Sequence, residues 1–113
     1  MGTMQKKSFK EADEIRNAGR LRTESVTIGS HKFLHNTAQP GWSWSEDLKP
    51  LVKTETCQVR HLIYMISGRI RTRMADGTEL DFTAGDVGVI PPGHDGWTLG
   101  DEPAVWLDLQ PAG

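Results

Sequence analysis

The segment spanning residues 69–82 is the part of this sequence that most restricts the possible folds. Charged and apolar residues alternate strictly along residues 69–74, Asp76-Gly77 follows, and residues 79–82 alternate in the same way. A period of two on either side of an Asp-Gly dipeptide is typical of a β-hairpin with a two-residue turn. The arginines and carboxylates would share the solvent face and pair across it. The residues predicted to point inward are Ile70, Met74, Leu80 and Phe82.

The rest of the chain after residue 22 also consists of short strand-like runs separated by Gly and Pro. The longest candidate strand runs from Cys57 to Ile66, and its apolar centre at 62–66 indicates burial on both faces. Large and small residues alternate in Trp42-Ser43-Trp44-Ser45, which predicts a strand with both tryptophans on one side. Many short strands with this punctuation predict an all-β barrel or sandwich.

The first 22 residues are predicted to form an N-terminal extension with a short helix. Ser8 occupies the position of a helix N-cap, and Glu11 follows at the capping-box spacing. Gly19 would end this helix after at most two turns. Residues 23–113 are predicted to form the barrel, because a chain of 113 residues amounts to one domain.

Composition excludes several classes of partner. The formal net charge is −2, which disfavours sequence-independent binding of nucleic acid phosphates. No apolar run approaches the ~20 residues of a membrane span, and the polar residues at the N-terminus lead us to expect no secretory signal. The single cysteine, Cys57, cannot form a disulfide within its own chain, as is usual in a reducing compartment. We therefore expect a cytoplasmic protein that binds neither nucleic acid nor membrane.

Two glycine- and proline-containing motifs between residues 59 and 109 resemble the conserved barrel of the cupin superfamily. Gly85-Asp86 followed by Pro91-Pro92-Gly93 matches the second cupin motif, and Gly68 matches the terminal glycine of the first. The N-terminal part, with Trp42-x-Trp44 and Pro50, resembles small single-domain bacterial cupins of undefined activity. The resemblance implies a double-stranded β-helix, or jelly-roll, barrel with its site in the interior.

The metal-binding positions of the cupin motifs carry altered residues here. The first motif reads His-x-His, three or four residues, Glu, six residues, Gly. Counting back from Gly68 places His61 at the Glu position and Cys57 and Glu55 at the two His positions. The His of the second motif falls on Gly96, two residues after His94.

The resemblance thus implies an altered metal site. On a continuous strand, residues 55, 57 and 61 would share one inward face. Thiolate, imidazole and carboxylate ligands would suit a divalent ion such as Zn, Fe, Mn or Ni. Alternatively, Cys57 is plain core, His61 is bonded to backbone, Glu55 lies in a loop and His94 is a turn residue. The candidate ligands are Glu55, Cys57, His61 and His94.

Four tryptophans are many for a chain of this length and suggest an aromatic-lined pocket. Trp97 adjoins His94 and is the best pocket candidate, although core or dimer-interface packing is the alternative for each Trp. Tyr64 is out of phase with His61 and is assigned to the other face of the sheet. The candidate ligand-binding residues are His61, His94, Trp97, Trp44 and Met65.

Three functional hypotheses follow from these residues. The first is a cupin that binds a small molecule inside the barrel without chemistry of its own. The alternative is a divalent-metal-dependent enzyme, similar to cupin oxygenases or isomerases, with an altered metal site. A protein–protein module is the third, and no specific feature supports it. The fold hosts many chemistries, so the sequence leaves open whether the protein is an enzyme. We also expect a homodimer that covers the sheet edges.

Overall fold

Two antiparallel β-sheets face each other in the structure, a computed structural model that describes residues 2–111. No helix among these residues is long and apolar enough to cross a membrane. The elements are a 3-10 turn at Phe9–Glu11, β1 (Glu14–Ala18), β2 (Leu21–Ile28), β3 (His31–Ala38), α1 (Trp44–Asp47), α2 (Lys49–Val52), β4 (His61–Ser67), β5 (Arg69–Met74), β6 (Glu79–Thr83), β7 (Val87–Ile90), β8 (His94–Leu99) and β9 (Ala104–Pro111).

The larger sheet has six strands in the order β1-β2-β3-β9-β4-β7, and the smaller has three in the order β6-β5-β8. Their inner faces enclose a core in which Ile63 and Met65 are fully buried and Trp106 is nearly so. Alternation of side chains along each strand sends one set into this core and the other to solvent. The predicted all-β jelly-roll fold is confirmed.

The predicted hairpin forms from β5 and β6. Arg71 pairs with Asp81 in the register, and the Arg71 Nε lies 2.6 Å from the Asp81 Oδ1. Its turn is longer than the predicted two residues, because Met74 N–H bonds the Thr78 carbonyl at 2.8 Å. Of the four residues expected inside, Ile70 and Phe82 are buried and Met74 is half-buried. Leu80 lies on edge strand β6 and is 60% exposed, contrary to the prediction.

The predicted N-terminal helix is limited to one 3-10 turn. The Ser8 hydroxyl caps it by accepting from the Lys10 backbone N–H at 3.1 Å. Residues 14–18 instead form β1, which pairs with β2 and satisfies backbone groups that would otherwise lie unpaired at the sheet edge. Because β1 already belongs to the six-stranded sheet, the sheet starts at Glu14, within the segment predicted to be an N-terminal extension.

The predicted strand at residues 42–45 is also replaced by a helical turn. Ser43 is the N-cap of α1, and its hydroxyl accepts from the Glu46 backbone N–H at 3.1 Å. This is a local hydrogen-bonding pattern that favours helix initiation over an extended chain. Trp42 and Trp44 are nonetheless both buried, so they share the interior as expected.

Strand β4 is shorter than predicted and is buried on one face only. It begins at His61 rather than Cys57. Ile63 and Met65 are buried, whereas Tyr64 and Ile66 are 46% and 40% exposed. Tyr64 therefore lies on the outer face, as its phase relative to His61 predicted.

Gly68 allows the chain to pass from β4 into β5 against the start of β9. Its φ of 71° is in the left-handed region, and a Cβ there would lie 2.3 Å from the Pro103 carbonyl oxygen. Any other residue would clash with backbone that cannot move aside. The backbone geometry thus explains why this position of the first motif requires glycine.

Candidate metal and ligand site

A backbone bridge brings Cys57 to the start of β8. The Cys57 N–H donates to the His94 carbonyl, and the Gly93 N–H donates to the Cys57 carbonyl, both at 2.7 Å. The Pro91-Pro92-Gly93 corner turns the chain so that these groups meet. Cys57 consequently faces His94 although it lies outside any strand.

Cys57, His61 and His94 form one cluster. Their possible ligand atoms all lie within 4.8 Å of one another. The Cys57 Sγ is 3.6 Å from the His61 Nε2, and the two imidazole rings meet edge to face with centroids 5.0 Å apart. Cys57 and His94 are buried, and His61 is partly buried. Three of the four candidate metal ligands are therefore brought together.

Each histidine of the cluster is oriented by a second hydrogen bond. The His61 Nδ1 donates to the Asp108 Oδ2 at 2.5 Å, and the His94 Nδ1 donates to the Pro91 carbonyl at 2.7 Å. These bonds leave the Nε2 atom of each ring for an ion. A carboxylate or carbonyl behind the ring is the usual support of a metal-bound histidine.

Asp108 is a site residue that sequence reasoning missed. It is only 2% exposed, and besides His61 it accepts from the Leu62 backbone N–H at 3.2 Å and the Gln110 side-chain amide at 2.9 Å. A signal was present, because residue 108 follows Trp106 by two in an alternating strand and therefore shares its inward face. A carboxylate on a core face requires buried partners.

The cluster favours a thiolate beside an imidazolium when no ion is bound. Burial alone would raise the pKa of Cys57, but hydrogen bonds from His61 and His94 outweigh it and lower the pKa from 9.0 to about 6. Burial alone would lower the pKa of His61, whereas hydrogen bonds to Asp108 and Cys57 raise it from 6.5 to about 9. Opposite charges at short range explain both shifts.

Glu55, the fourth candidate metal ligand, lies outside the cluster. Its side chain is 93% exposed, and its carboxylate pairs with the Lys49 ammonium at 3.0 Å. The alternation used to place it on the inner wall does not reach so far, since β4 begins only at His61. The alternative that Glu55 lies in the loop before the strand agrees with the structure.

His94 reaches the interior despite being two residues from the family position. Along β8, His94, Gly96 and Thr98 are buried and alternate with half-buried residues. A displacement of two residues along a strand keeps the same face. The register change therefore moves the imidazole along the wall without turning it outward.

The remaining ligand-binding candidates are placed differently from one another. Trp44 lines the cavity described below, together with His61 and His94. Trp97 does not line it, because an odd offset from His94 puts the Trp97 side chain on the other face of β8. Met65 is completely buried in the core and does not line the cavity either.

A cavity of about 580 Å³ opens beside the cluster and is lined by the inner faces of both sheets and by α1 and α2. Cys57, His61 and His94 form part of its wall. The rings of Trp42 and Trp106 contact each other within it at a centroid distance of 5.8 Å. Its main apolar lining residues are Trp42, Trp44, Ile63, Ile70, Ile90 and Trp106.

Comparison with known proteins gives matches in structure but not in sequence. No protein-family profile matches this chain, and no curated protein sequence matches it. A protein of unknown function from Rhizobium leguminosarum matches 99% of this chain over its full length, with a TM-score of 0.69 and 21% identity. The polyketide cyclase RemF from Streptomyces resistomycificus matches 98% of this chain over 81% of its own, with a TM-score of 0.68 and 15% identity.

An oxalate decarboxylase from Lactobacillus farciminis, solved as a formate complex, matches 99% of this chain with a TM-score of 0.68 and 21% identity. This chain spans about one third of that enzyme, 34% of its length. Identities this low concern the fold alone, and the neighbours include both enzymes and proteins of unknown function. Together with the two facing sheets and the glycine–proline motifs, they show that this protein is a cupin-fold β-barrel.

Proposed function

We propose that the protein binds a divalent transition metal at Cys57, His61 and His94 and a small molecule in the adjoining cavity. The observation that carries this proposal is the convergence of three ligand atoms within 4.8 Å of one another. The 3.6 Å between Cys57 Sγ and His61 Nε2 matches the roughly 3.5 Å edge of a tetrahedron around Zn²⁺.

The donor set suits an ion of borderline softness, Zn²⁺ above all. A thiolate and two neutral imidazoles are common zinc ligands, and three protein ligands leave one position for water or substrate. The thiolate would offset one of the two positive charges, and Asp108 would orient His61 from behind. A bound ion would supply Lewis-acid chemistry at that open position.

The cavity would bring a ligand to the ion. Its volume of about 580 Å³ lies within the range of small-molecule sites. The tryptophan and isoleucine walls would hold an apolar body by excluding water from it. The side chains of α1 and α2 that line the cavity would limit access from solvent.

A metal-free small-molecule binder is the second candidate. The same cavity supports it, since an apolar pocket with a few polar groups needs no ion to bind a ligand. On that reading, Cys57, His61 and Asp108 would form a hydrogen-bonded polar network that rigidifies the wall. The two candidates differ in whether metal is present in stoichiometric amount.

Metal content decides between the two candidates. Protein is purified without a metal-affinity step or chelator, and bound elements are counted by plasma mass spectrometry. We expect about one transition-metal ion per chain, and its loss in Cys57→Ser and His94→Ala. His31→Ala is the matched control, because His31 is exposed at the start of β3.

Wild-type protein that holds no stoichiometric metal and whose melting temperature does not respond to Zn²⁺, Fe²⁺, Mn²⁺ or Ni²⁺ would rule out the metal site. Cavity binding would then remain as the function. Retention of full metal by Cys57→Ser and His94→Ala would place the ion elsewhere.

We further propose a second copy of this chain as the protein's partner. The outer face of β4 and the edge strand β7 exposes Tyr64, Val87 and Val89 at 46%, 71% and 50%. Tyr64 pairs directly with Val87, so the apolar surface is continuous across the two strands. Exposed apolar surface on an edge strand favours pairing with another sheet. Light scattering should give a dimer mass that falls to a monomer in Val87→Lys, and a monomeric wild-type protein would contradict this.

A further inference from the structure

Lys32 is a cavity residue that the metal proposal leaves unexplained. It lies on the inner face of β3, half-buried, and lines the cavity. No carboxylate of residues 2–111 comes within 4.0 Å of its ammonium group. A lysine in a cavity wall without a carboxylate partner is free to form a charge-assisted hydrogen bond with an anionic ligand.

The other charged groups on the cavity wall are already paired. The Arg16 Nε lies 2.7 Å from the Glu14 carboxylate, and its side chain is 76% exposed. The Asp108 carboxylate is occupied by His61, Leu62 and Gln110. Of the Lys and Arg side chains that line the cavity, Lys32 is thus the one without an ion-pair partner among residues 2–111, which favours an anionic group of a ligand at this point of the wall.

The register places Lys32 near the metal-binding cluster. Lys32 pairs with Gln110 on β9, and Ile63 of β4 pairs with Asp108. Continuing that register by two residues brings His61 beside Gln110. Lys32 and His61 thus lie on the same inner face, two strands or about 10 Å apart at their Cα atoms. An anion between them could contact both the ammonium group and the cluster.

A second unpaired donor lies on the cavity wall. The Nε1–H of Trp42 is buried and has no hydrogen-bond partner among residues 2–111. The neighbouring Asn36 Oδ1 already accepts from the Thr23 hydroxyl at 2.7 Å. Trp42 and Lys32 thus offer two unpaired donors to the cavity, which favours a ligand with acceptor oxygens.

From these observations we infer that the ligand is a small apolar carboxylic acid. Its carboxylate binds Lys32 at the end of the cavity nearest the cluster, and its apolar or aromatic body lies against Trp42, Trp44 and Trp106. The inference rests on the proposed use of the cavity for a small molecule, and it holds with or without a bound ion. Lys32 is then the residue that selects for the acid.

The test compares an acid with its uncharged amide. Binding of 3-phenylpropanoate and of 3-phenylpropanamide is measured by quenching of tryptophan fluorescence at low salt, with metal-loaded and with metal-free protein. Because a hydrogen bond to a charged group contributes about 1.5–3 kcal/mol, we expect the wild-type protein to prefer the acid at least about tenfold. This preference should fall to about threefold or less in Lys32→Met, which keeps the apolar stem of the side chain.

Lys32→Arg should retain the preference, and this variant also serves if Lys32→Met does not fold. Lys6→Met is the matched control, because Lys6 is exposed on the N-terminal segment. Equal binding of acid and amide by the wild-type protein would overturn the inference, as would a preference that persists in Lys32→Met.

The metal-free arm separates this inference from the metal proposal. A preference for the acid that depends on Lys32 in protein without metal would support the inference even if no ion is ever bound. A preference that disappears with the metal but survives in Lys32→Met would assign the carboxylate to the ion and refute the role of Lys32.

Discussion

Two carboxylate–cation pairs link neighbouring strands of this barrel, and they differ chiefly in burial. His61 and Asp108 join β4 to β9 at 2.5 Å, and Arg71 and Asp81 join β5 to β6 at 2.6 Å. The Asp108 side chain is 3% exposed, whereas that of Asp81 is 43% exposed. The two pairs therefore have unequal interaction energies despite nearly equal distances. Solvent screens the outer pair, whereas the inner pair lies in a region of low dielectric constant.

The two pairs also serve different ends. In the hairpin, Arg71 and Asp81 satisfy each other's charge. If this pair were broken, both side chains would be hydrated by solvent. The inner pair ends on an imidazole whose other nitrogen faces Cys57, so any change at Asp108 reaches the cluster of Cys57, His61 and His94. Because the inner pair is buried beside the cluster, this cross-strand contact also orients His61, a candidate metal ligand.

The largest effect is expected from Asp108→Ala. This change leaves the His61 ring, the Leu62 N–H and the Gln110 amide without their buried acceptor. Removing one partner of a buried pair costs about 3–5 kcal/mol, so we expect the free energy of unfolding to fall by about 3 kcal/mol. Urea denaturation followed by circular dichroism measures it. A loss below about 1 kcal/mol would mean that the inner pair is no stronger than a surface pair.

The ionisation of Cys57 is the next test of the inner region. In metal-free protein, ultraviolet absorbance of the thiolate should titrate with a midpoint at about pH 6, and His61→Gln should raise that midpoint. A midpoint near the ordinary value of 9.0 would contradict the interaction of the thiolate with the two histidines.

The sign of the pH dependence follows from the two shifts. Cys57, with a lowered pKa, stabilises the fold fully above pH 9.0, and its contribution is lost as the pH falls through about 6. His61, with a raised pKa, stabilises it fully below pH 6.5, and its contribution is lost as the pH rises through about 9. Between about pH 6 and about pH 9 the Cys57 thiolate and the His61 imidazolium are both charged in the folded state, and their attraction stabilises the metal-free protein.

The smallest effect is expected from Asp81→Asn on the outer pair. Hydrogen bonding to Arg71 lowers the pKa of Asp81, so its contribution is present above pH 3.8 and fades as the pH falls through the lowered value. Exposure and salt screening keep this contribution small. We expect no change in the urea midpoint beyond experimental error at pH 7 and 150 mM salt. A shift as large as that of Asp108→Ala would abolish the distinction between the two regions.

The outer region was also the easier one to predict from sequence. A hairpin such as β5–β6 can be predicted from the alternation of charged and apolar residues and from an Asp-Gly turn. Both are features of the local sequence. The cupin motifs likewise predicted the fold, since Gly68 and the Pro91-Pro92-Gly93 corner have backbone requirements that residue type reveals. The capping pattern of Ser43 and Glu46 was equally local, but the alternation of the tryptophans concealed it.

The inner region depends on contacts between distant parts of the chain. Cys57 and His94 were candidates by residue type, but their meeting depends on a backbone bridge across 37 residues of sequence (94 minus 57). Asp108 was missed because its phase relative to Trp106 indicates burial only, whereas its partner His61 lies 47 residues away in sequence. Trp97 was misplaced because adjacency to His94 in sequence was taken for adjacency in space, whereas a strand alternates faces.

The ligand shell of a bound ion is the most direct test of the account's central claim, that Cys57, His61 and His94 form one metal site. X-ray absorption at the zinc edge of zinc-loaded protein gives the number and type of coordinating atoms. We predict one sulfur at about 2.3 Å with nitrogen or oxygen ligands, including two imidazoles, at about 2.0–2.1 Å. A shell without sulfur, or one made of oxygen atoms alone, would contradict it.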